Sequence, residues 1–300
     1  MLGNERHPAQ AAPRERDAGP GTPANGRGAS AVNRLTNRAE PHQMASPKLT
    51  VVVPVYNEES IVREACQELM AQLEERGWDY EILVAENGSK DRTVEILRAM
   101  AGEYPRLRYI HSQEPNYGLA LRSGILEAAG QFVVADEIDL CDVRFYDRAL
   151  ALLEANGADM VVGSKRAPGS RDRRPAYRRL ATAVHNTVLK LALGFQGTDT
   201  HGVKAFVRER IAPTAERCVV DRDVFASELV LRAALEGKKV VEIPVSIEEK
   251  RPPSIALFKR VPTVLKQVCR LFWVLRVQAP PGRNHECVHP SEGPKKASGS

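Results

Sequence analysis

The fold is decided by the stretch LTVVVPVYNEE, residues 49–59, in which an apolar run ends and passes into polar residues. Leu49–Val55 is uncharged and rich in β-branched side chains, which predicts a short strand that is buried on both faces. From Ile61 to Arg76 the apolar side chains recur at helical spacing, and Gly77 then ends the run, as glycine ends many helices. A buried strand followed by an amphipathic helix predicts the first half of a βαβ unit.

The same alternation of strand and helix continues downstream. Further strands are predicted at Tyr80–Ala85, Leu107–His111 and Phe132–Ala135, and the helices between them begin near Asp91 and Tyr117. This order predicts an α/β fold, a single Rossmann-like domain whose mostly parallel central sheet is flanked by helices. Ligands of such sheets bind beyond the carboxyl ends of the strands, so the site is expected there.

The two ends of the chain differ from this body in composition. Residues 1–47 contain no Phe, Trp or Tyr and few large aliphatic residues. They can bury too little apolar surface to offset the entropy lost on ordering, so we predict a disordered tail, and residues 279–300 fit the same description. The predicted organisation is a folded domain over 48–254, a basic amphipathic helix over 255–278 and a disordered tail at each end.

Composition excludes several classes of protein. No apolar run reaches the roughly 18 residues that a membrane-spanning helix needs, and the five cysteines include no CxxC pair of the kind that binds zinc or exchanges disulfides. Neither the phosphate-binding pattern GxxxxGK[ST] nor a GxGxxG turn occurs. The basic N-terminus lacks the apolar core of a signal peptide, so a cytoplasmic location is expected.

Positive charge is concentrated in two segments of the chain. The formal net charge is +5, but residues 163–190 hold eight Lys and Arg against one acid, and residues 250–276 hold seven against none. The rest of the predicted domain is correspondingly acidic. This polarity predicts an acidic site and a separate surface that faces anions, although both basic runs also fit solvated helix faces.

Two of the predicted strands end in polar residues that suit a nucleotide. After the first strand Pro54 turns the chain outward, where Tyr56 can stack on a base and Glu58 can hydrogen-bond to it, although a plain helix cap accounts for this segment equally well. The second strand ends in Glu86 and Asn87, which a capping role explains less well.

A third strand end carries four carboxylates within seven residues, in the sequence DEIDLCD at residues 136–142. Acids this close repel one another, and a hard divalent cation such as Mg²⁺ or Mn²⁺ that also bridges to a diphosphate would relieve the repulsion. An exposed acidic loop is the alternative interpretation.

Taken in order, several segments resemble the family 2 glycosyltransferases of the GT-A fold. They are VVVPVYNEE (51–59), ENGSKDRT (86–93), NYGLALRSGILEAAGQFVVADEIDLCD (116–142) and FASELVLRAALEGKKVVEIPV (225–245), and the likeness covers about residues 48–275. Within the family the chain looks most like dolichyl-phosphate and polyprenyl-phosphate mannosyl- and glucosyltransferases without transmembrane helices. The resemblance implies inverting transfer of a hexose from a GDP- or UDP-sugar to a polyprenyl phosphate.

The resemblance also implies roles for residues at the strand ends. Pro54, Tyr56 and Glu58 match the family's first nucleotide-binding segment, and Glu86 and Asn87 stand where the family usually has two acids, so base recognition is expected to differ.

The family's metal-binding DxD motif falls within residues 136–139, which read DEID in this sequence. We assign the metal to Glu137 and Asp139 and predict that Asp139 is catalytic. Asp136 is expected to contact the nucleotide sugar, or to bind the metal through a shifted register. Cys141 stands where the family usually has Gln.

Downstream segments extend the likeness to the acceptor. GSKR matches the family's GSR strand end and includes Arg166, and YRRLATAVHN matches its Arg-Arg-x-x-Ser helix. Arg178 and Thr182 are four residues apart, so one helical face can present both to the acceptor phosphate, and Arg178 is expected to be catalytic. KRPPS matches a loop that closes over the nucleotide sugar, which implies that Arg251 contacts the diphosphate.

The segment TDTHGVKAF resembles the family's Asp-x-x-Gly segment, with Asp199 and Gly202 in the matching positions. His201 stands where the family has a small polar residue. We expect His201 to have a structural role, or to act through a neighbouring residue, rather than to be catalytic.

A phosphate acceptor is already ionised at pH 7 and needs no general base. Basic residues interleaved with Leu, Phe and Trp at 255–277 predict a helix that lies on an anionic membrane, which would place the enzyme peripherally on the inner face. Packing of this helix against its own core or a dimer mate is the alternative.

Two other functions were weighed. A family 2 transferase with a soluble hydroxyl acceptor would need a general base, and Asp223 or Glu228 could serve. A nucleic-acid-binding module is disfavoured because the basic run at 163–190 holds only one aromatic residue, Tyr177, and no recognition motif. No nucleic-acid partner is therefore expected, and a homo-oligomer is left open.

Overall fold

The computed structural model describes five ranges of the chain, all within one compact unit, Asn33–Ser300. They are residues 46–172, 176–193, 197–222, 224–247 and 266–278. The tails predicted at 1–47 and 279–300 lie almost entirely outside the described residues, as does the first part of the helix predicted at 255–278.

The strands of the described ranges form two sheets. In chain order the strands are β1 (Leu49–Val55), β2 (Tyr80–Asn87), β3 (Leu107–Ser112), β4 (Phe132–Ala135), β5 (Met160–Ser164), β6 (Arg171–Asp172), β7 (Lys204–Val207), β8 (Val240–Pro244) and β9 (Ser246–Ile247). Seven of them make the main sheet in the order β3-β2-β1-β4-β7-β5-β8, and β6 pairs with β9.

The main sheet is mixed. Its β1–β2, β1–β4, β2–β3 and β5–β8 pairs are parallel, and β7 runs antiparallel to both of its neighbours, β4 and β5. The predicted α/β fold with a mostly parallel sheet is therefore confirmed, with one antiparallel strand added. Because β7 is reversed, its first residue, Lys204, lies beside Ala135 at the carboxyl end of β4.

The helices cover the two faces of the sheet. They are α1 (Val62–Glu75), α2 (Thr93–Glu103), α3 (Tyr117–Glu127), α4 (Val143–Glu154), α5 (Ala176–Leu193), α6 (Arg208–Arg217) and α7 (Phe225–Leu235). Residues 266–272 are also helical and continue into a π-helical turn, Trp273–Gln278. Among the helices within the described ranges, none is long and apolar enough to cross a membrane.

The side chains of β1 point alternately to the two faces of the sheet and so contribute to two hydrophobic cores. Val51 and Val53 pack beneath α1, α2 and α4, whereas Val52 packs on the opposite face with α3, α6 and α7. Every residue of β1 is buried, as the apolar run at 49–55 predicts. With both faces covered, the sheet brings the buried polar residues that end β2 and follow β4, Glu86, Asn87 and Asp136, to its carboxyl edge.

Candidate active site

A cavity of about 910 Å³ opens at the carboxyl edge of the sheet, where β1 and β4 end and β7 begins. This volume is within the range of small-molecule sites, roughly 300–1,000 Å³. The residues of its lining that carry charge or could bind a ligand include Asp136, Glu137, Asp139, Lys165, His201 and Lys204.

One wall of the cavity is residues 136–142, which we call the acid loop. Asp136 is buried, and its carboxylate accepts hydrogen bonds from the backbone N–H of Glu137 at 2.8 Å and of Asp142 at 3.3 Å, and from the Tyr146 hydroxyl at 2.9 Å. Burial raises the pKa of Asp136 to about 7. Asp136 therefore stabilises the conformation of the acid loop through these hydrogen bonds, although it also lines the cavity.

A second acid of the loop, Asp142, also stabilises the fold. Asp142 caps α4 by accepting a hydrogen bond from the backbone N–H of Arg144 at 3.2 Å. Cys141, with a φ of 32°, turns the loop in the left-handed region just before this cap. The two other acids of the loop also line the cavity: Glu137 is exposed and Asp139 is half-buried.

These two acids suit an open metal site rather than a closed one. Within the described ranges, no group of three or more His, Cys, Asp or Glu side chains could hold a metal ion. Mg²⁺ is commonly held by one or two carboxylates together with water and substrate phosphates, and Mn²⁺ also prefers oxygen ligands. A two-carboxylate set that faces a cavity of substrate size fits this mode of binding.

The turn at residues 199–204 contributes a second part of the lining, which includes His201, Gly202, Val203 and Lys204. Asp199 is buried and accepts hydrogen bonds from the backbone N–H groups of Lys165, at 3.3 Å, and His201, at 2.9 Å. Burial would raise the pKa of Asp199, but the charge of Lys165 and the bond from His201 outweigh it and hold the pKa below its ordinary value. The turn passes so close to β5 that a Cβ on Gly202 would lie 1.7 Å from the carbonyl oxygen of Gly163.

Lys204 is a buried cation at the cavity, and the motifs in the sequence do not predict a role for it. Its Nζ donates to the carbonyl oxygen of Gly202 at 2.7 Å. Burial lowers the pKa of Lys204 to about 8, against the pull of the carboxylates of Asp199, Glu137 and Asp136. The only signal in the sequence is a lysine at the head of the apolar strand KAFV, and the reversed direction of β7 is what brings it to the cavity.

The predicted nucleotide-binding segment that follows β1 is hydrogen-bonded to the loop that follows β2. The backbone N–H of Asn57 donates to the Ser89 hydroxyl at 2.8 Å, and Asn57 in turn accepts from the backbone N–H of Lys90 at 2.8 Å. Strand β1 continues through Pro54, which corrects the expectation that this proline turns the chain, and Asn57 makes the turn with a φ of 55°. Tyr56 is 37% exposed, as a ring that stacks on a base would be.

Glu86 and Asn87 are buried and hold the same region together. Glu86 accepts from the backbone N–H of Ser89 at 2.5 Å and pairs with Nδ1 of His111. Asn87 accepts from the backbone N–H of Asn116 at 2.5 Å. Both side chains are committed to internal contacts, and His111 is a partner that the sequence analysis did not name.

The residues predicted to hold the acceptor are only partly described. Arg166 is exposed and is absent from the cavity lining. Arg178 and Thr182 lie on α5, but their side chains are outside the described residues, as is the whole of Arg251. Their predicted roles stay predictions.

The structure is at odds with Glu228 as a general base. Its carboxylate is fully buried and accepts hydrogen bonds from the backbone N–H groups of Val219, at 3.0 Å, and Val220, at 2.7 Å, and from Nε of Arg232 at 2.6 Å. Glu228 therefore fixes the segment that precedes α7. Asp223, the other residue proposed for that role, lies outside the described residues.

The mixed sheet and the acid-lined cavity at its carboxyl edge are those of a glycosyltransferase with the GT-A fold. Residues 50–213 match the family model Glycosyl transferase family 2. The chain belongs to glycosyltransferase family 2.

Three known proteins illustrate the likeness. A glycosyltransferase named AglD from Haloferax volcanii is 29% identical over 241 residues, which are 78% of this chain and 38% of the relative. A dolichyl-phosphate β-glucosyltransferase of Trichomonas vaginalis is 28% identical over 218 residues, 68% of this chain and 67% of the relative. The chain thus spans well under half of the first relative's length.

The third comparison is with a solved structure. A mannosyltransferase from Pyrobaculum calidifontis, in complex with GDP-mannose and Mn²⁺, superposes with a TM-score of 0.53 at 20% identity, over 81% of this chain and 68% of that chain. At this identity the likeness shows the fold alone, and it confirms the predicted GT-A architecture.

Proposed function

We propose that this chain transfers a hexose, mannose or glucose, from a GDP- or UDP-sugar to a polyprenyl phosphate on the inner, cytoplasmic face of a membrane, with Mg²⁺ or Mn²⁺ as cofactor. The observation that carries the proposal is the acid loop in the lining of the cavity. Asp136 and Asp142 accept hydrogen bonds within the fold, and Glu137 and Asp139 also line the cavity, where their carboxylates suit a divalent cation that binds a diphosphate.

The known relatives support the choice of substrates. One acts, by its name, on dolichyl phosphate with glucose, and the solved mannosyltransferase binds GDP-mannose and Mn²⁺. Lys165 and Lys204 border the cavity and supply positive charge, which suits an anionic diphosphate. The burial of Glu228 supports an acceptor that needs no general base.

The reaction is a displacement with inversion. An oxygen of the acceptor phosphate attacks the anomeric carbon while the bond from that carbon to the diphosphate breaks. A divalent cation held by Glu137 and Asp139 would neutralise the charge that develops on the leaving diphosphate.

The remaining residues of the proposal position the two substrates. Tyr56 stacks on the base, Arg251 contacts the diphosphate from the loop that closes over it, and Arg166 lies near the acceptor. Arg178 and Thr182 hold the acceptor phosphate in line with the anomeric carbon, and this orientation lowers the barrier to transfer.

The C-terminal segment provides a membrane contact in this proposal. Val268, Leu271 and Leu275 pack in the core, and Lys266, Arg270 and Trp273 are exposed on the other side, with Trp273 at 57%. Basic and aromatic side chains on one exposed face suit the interface of an anionic bilayer.

The proposal is tested by pairing each of four donors, GDP- and UDP-mannose and GDP- and UDP-glucose, with a polyprenyl phosphate and with the corresponding polyprenol. We expect transfer to the phosphate only, in the presence of Mn²⁺ or Mg²⁺ and not with EDTA. Transfer to the polyprenol, with no transfer to the phosphate, would replace this proposal with a hydroxyl acceptor; a parallel reaction with soluble sugars as acceptors tests the soluble alternative.

A substitution at Arg178 tests the proposed acceptor-binding residues in the same assay. Arg178→Ala should lower kcat/KM for the polyprenyl phosphate by about 30–150-fold, since one charge-assisted contact contributes about 2–3 kcal/mol, and leave donor affinity unchanged. Arg179→Ala, at the next position of α5 where the side chain is exposed, is the matched control. Equal losses in the two variants would remove Arg178 from the acceptor site.

A further inference from the structure

Glu242 is a buried acid to which the proposed function gives no role. It lies on β8, is 2% exposed and is not among the described residues that line the cavity. Its Oε1 accepts hydrogen bonds from the backbone N–H of Thr198 at 2.7 Å and of Asp199 at 3.3 Å, and its Oε2 accepts from the Thr198 hydroxyl. Three donors therefore converge on Glu242 from the residues at which the turn at 199–204 begins.

A chain of hydrogen bonds continues from Thr198 to the end of β5. The hydroxyl oxygens of Thr198 and Ser164 are 2.6 Å apart. A carboxylate only accepts hydrogen bonds, so the Thr198 hydroxyl gives its one hydrogen to Glu242, and the Ser164 hydroxyl donates to Thr198. The oxygen of Ser164 then accepts from the backbone N–H groups of Arg166, at 3.1 Å, and Ala167, at 3.0 Å. Every hydrogen in this chain points toward Glu242.

Helix α5 is joined to the same residue. Asn186 is 3% exposed, and its side-chain amide donates to the carbonyl oxygen of Thr198 at 2.6 Å. Thr198 therefore bonds to three elements of the fold, namely β8, the end of β5 and α5.

The segments that meet at Thr198 are parts of the candidate site. Residues 163–166 and α5 are predicted to hold the acceptor, and Lys165 and the turn at 199–204 line the cavity. Lys165 is also bonded to the turn, since its backbone N–H donates to the carboxylate of Asp199 at 3.3 Å. The bonds that converge on Glu242 thus fix the positions of these segments relative to one another.

We propose that Glu242 is a positioning residue for the acceptor, whose negative charge orders the hydrogen bonds through Thr198 and Ser164 that hold the end of β5 against the turn at 199–204. The inference deepens the proposed function and rests on it for the identity of the acceptor.

An uncharged side chain of the same shape shows why the charge matters. In Glu242→Gln an NH2 group replaces one of the two accepting oxygens. If that group faces the Thr198 hydroxyl, both hydroxyl hydrogens reverse, and the hydrogen of Ser164 is directed at the N–H groups of the following turn. If the amide is turned round, its NH2 group faces the backbone N–H of Thr198. Either arrangement sets donor against donor in a buried place, which is unfavourable.

The first measurement is amide hydrogen exchange of the full chain without substrates, followed in peptides that cover residues 164–170 and 197–203. The test variants are Glu242→Gln and Thr198→Val, of which the second removes the hydroxyl that links Glu242 to Ser164. The matched control is Glu228→Gln, the same change at a fully buried acid that accepts from backbone N–H groups ahead of α7. Exchange in residues 164–170 should be at least about fivefold faster in both test variants and within about twofold of wild type in the control.

The second measurement separates positioning from a loss of stability. The acceptor is whichever of the polyprenyl phosphate, the polyprenol and the soluble sugars the wild type uses. Its kcat/KM should fall at least about fivefold in both test variants, while the Kd of GDP or UDP, measured with Mn²⁺, stays within about twofold. Thr198→Ser, which keeps the hydroxyl, and the Glu228→Gln control should both retain the wild-type kcat/KM. Combining Glu242→Gln with Thr198→Val should cost no more than the larger single loss, because both changes interrupt one chain.

Three results overturn the proposal. They are unchanged exchange in residues 164–170 in both test variants, equal losses of kcat/KM in the test and control variants, and a loss of nucleotide affinity that parallels the loss for the acceptor. A wild type that transfers to none of the acceptors would instead refute the proposed function, and the exchange measurement would still decide whether Glu242 orders the two segments.

Discussion

The four acids of the acid loop differ in their roles. The Tyr146 hydroxyl, 2.9 Å from the carboxylate of Asp136, joins that acid to α4, and Asp142 begins the same helix as its cap. In our proposal the contact between Tyr146 and Asp136, which are ten residues apart, favours Glu137 over Asp136 as a metal ligand. A motif that spans four residues does not contain this information, which is why the sequence left Asp136 and Glu137 as alternatives.

Asp139→Ala tests the assignment of the metal. Transfer should fall by at least about 100-fold, because the variant loses a ligand of the ion that neutralises the leaving group. Binding of Mn²⁺, measured by electron paramagnetic resonance in the presence of nucleotide, should weaken in parallel. The melting temperature should stay unchanged, since Asp139 is half-buried and its carboxylate makes no hydrogen bond to another residue of the described ranges.

The control for this variant is Glu95→Ala, which removes an acid at an exposed position of α2. It should retain wild-type activity. An Asp139→Ala enzyme as active as the control would show that the metal, if one is used, binds elsewhere.

Lys204 gives a pH dependence whose sign follows from its burial. Its pKa is about 8 in the folded protein against an ordinary 10.5, so between these values the unfolded chain binds more protons than the folded one. The burial cost is fully present below pH 8 and is relieved as the pH rises to about 10.5. Asp199, Glu137 and Asp136 act against this shift and Lys165 acts with it.

The measurement compares wild type with Lys204→Met by urea unfolding at pH 7, 8, 9 and 10 in EDTA. The free energy of unfolding of the wild type, relative to the variant, should rise across this range by up to about 1.4 kcal/mol per pH unit. A difference that is flat or falls with pH would contradict the burial of a charged lysine.

At the scale of elements, the close passage of the 199–204 turn over β5 depends on one glycine. A Cβ on Gly202 would overlap the carbonyl oxygen of Gly163, so the turn that carries Asp199 and His201 would have to move away from the sheet. Gly202→Ala should therefore destabilise the protein by about 3 kcal/mol or more and reduce activity.

Gly102→Ala is the matched control for that substitution. Gly102 lies in α2, and a Cβ there would meet nothing within 4 Å. The same change should be neutral or should stabilise by about 0.5–1 kcal/mol, because alanine is the better helix former. The melting temperatures of the two variants are compared with that of the wild type. Equal changes in melting temperature would show that the turn at residues 199–204 can move to make room for a Cβ at position 202.

Strands β1 and β4 have the same bounds in the sequence analysis and in the structure, because a short apolar run between polar residues is decided locally. Strand β7 was not predicted. It has four residues, KAFV, and it is held in the sheet by antiparallel pairing with both β4 and β5, which lie far from it in the sequence. The position of Lys204 beside the acid loop follows from that long-range pairing, and local pattern does not encode it.

At the scale of the whole molecule, the C-terminal helical segment belongs both to the core and to the surface. Leu271 is fully buried among residues of the α7 side of the sheet, and its neighbour Phe272 is 42% exposed. The sequence predicts an amphipathic helix here but leaves open whether its apolar face meets a membrane or the core. The folded sheet answers this for Leu271, because it supplies the surface against which that side chain packs.

Two neighbouring substitutions test this division. Leu271→Ala should lower the free energy of unfolding by about 2–5 kcal/mol, since it leaves a cavity in the core. Phe272→Ala should change it by less than about 1 kcal/mol, because little of the buried surface is lost. Urea unfolding measures both, and similar losses would mean that Phe272 is covered in solution.

The reversed strand β7 also sets the order in which the protein can be completed as it is synthesised. The pairs β3–β2, β2–β1 and β1–β4 have all their residues once the chain has emerged to Ala135. From then until Val207 emerges, roughly 70 residues later, β4 is an unpaired edge with the sequence FVVA. An apolar edge of this kind pairs readily with other chains, so the nascent protein is most prone to aggregation during that interval. The arrival of Lys204 beside Ala135 closes this edge and brings the lysine to the lining of the cavity, which residues 244–246 complete about 40 residues later.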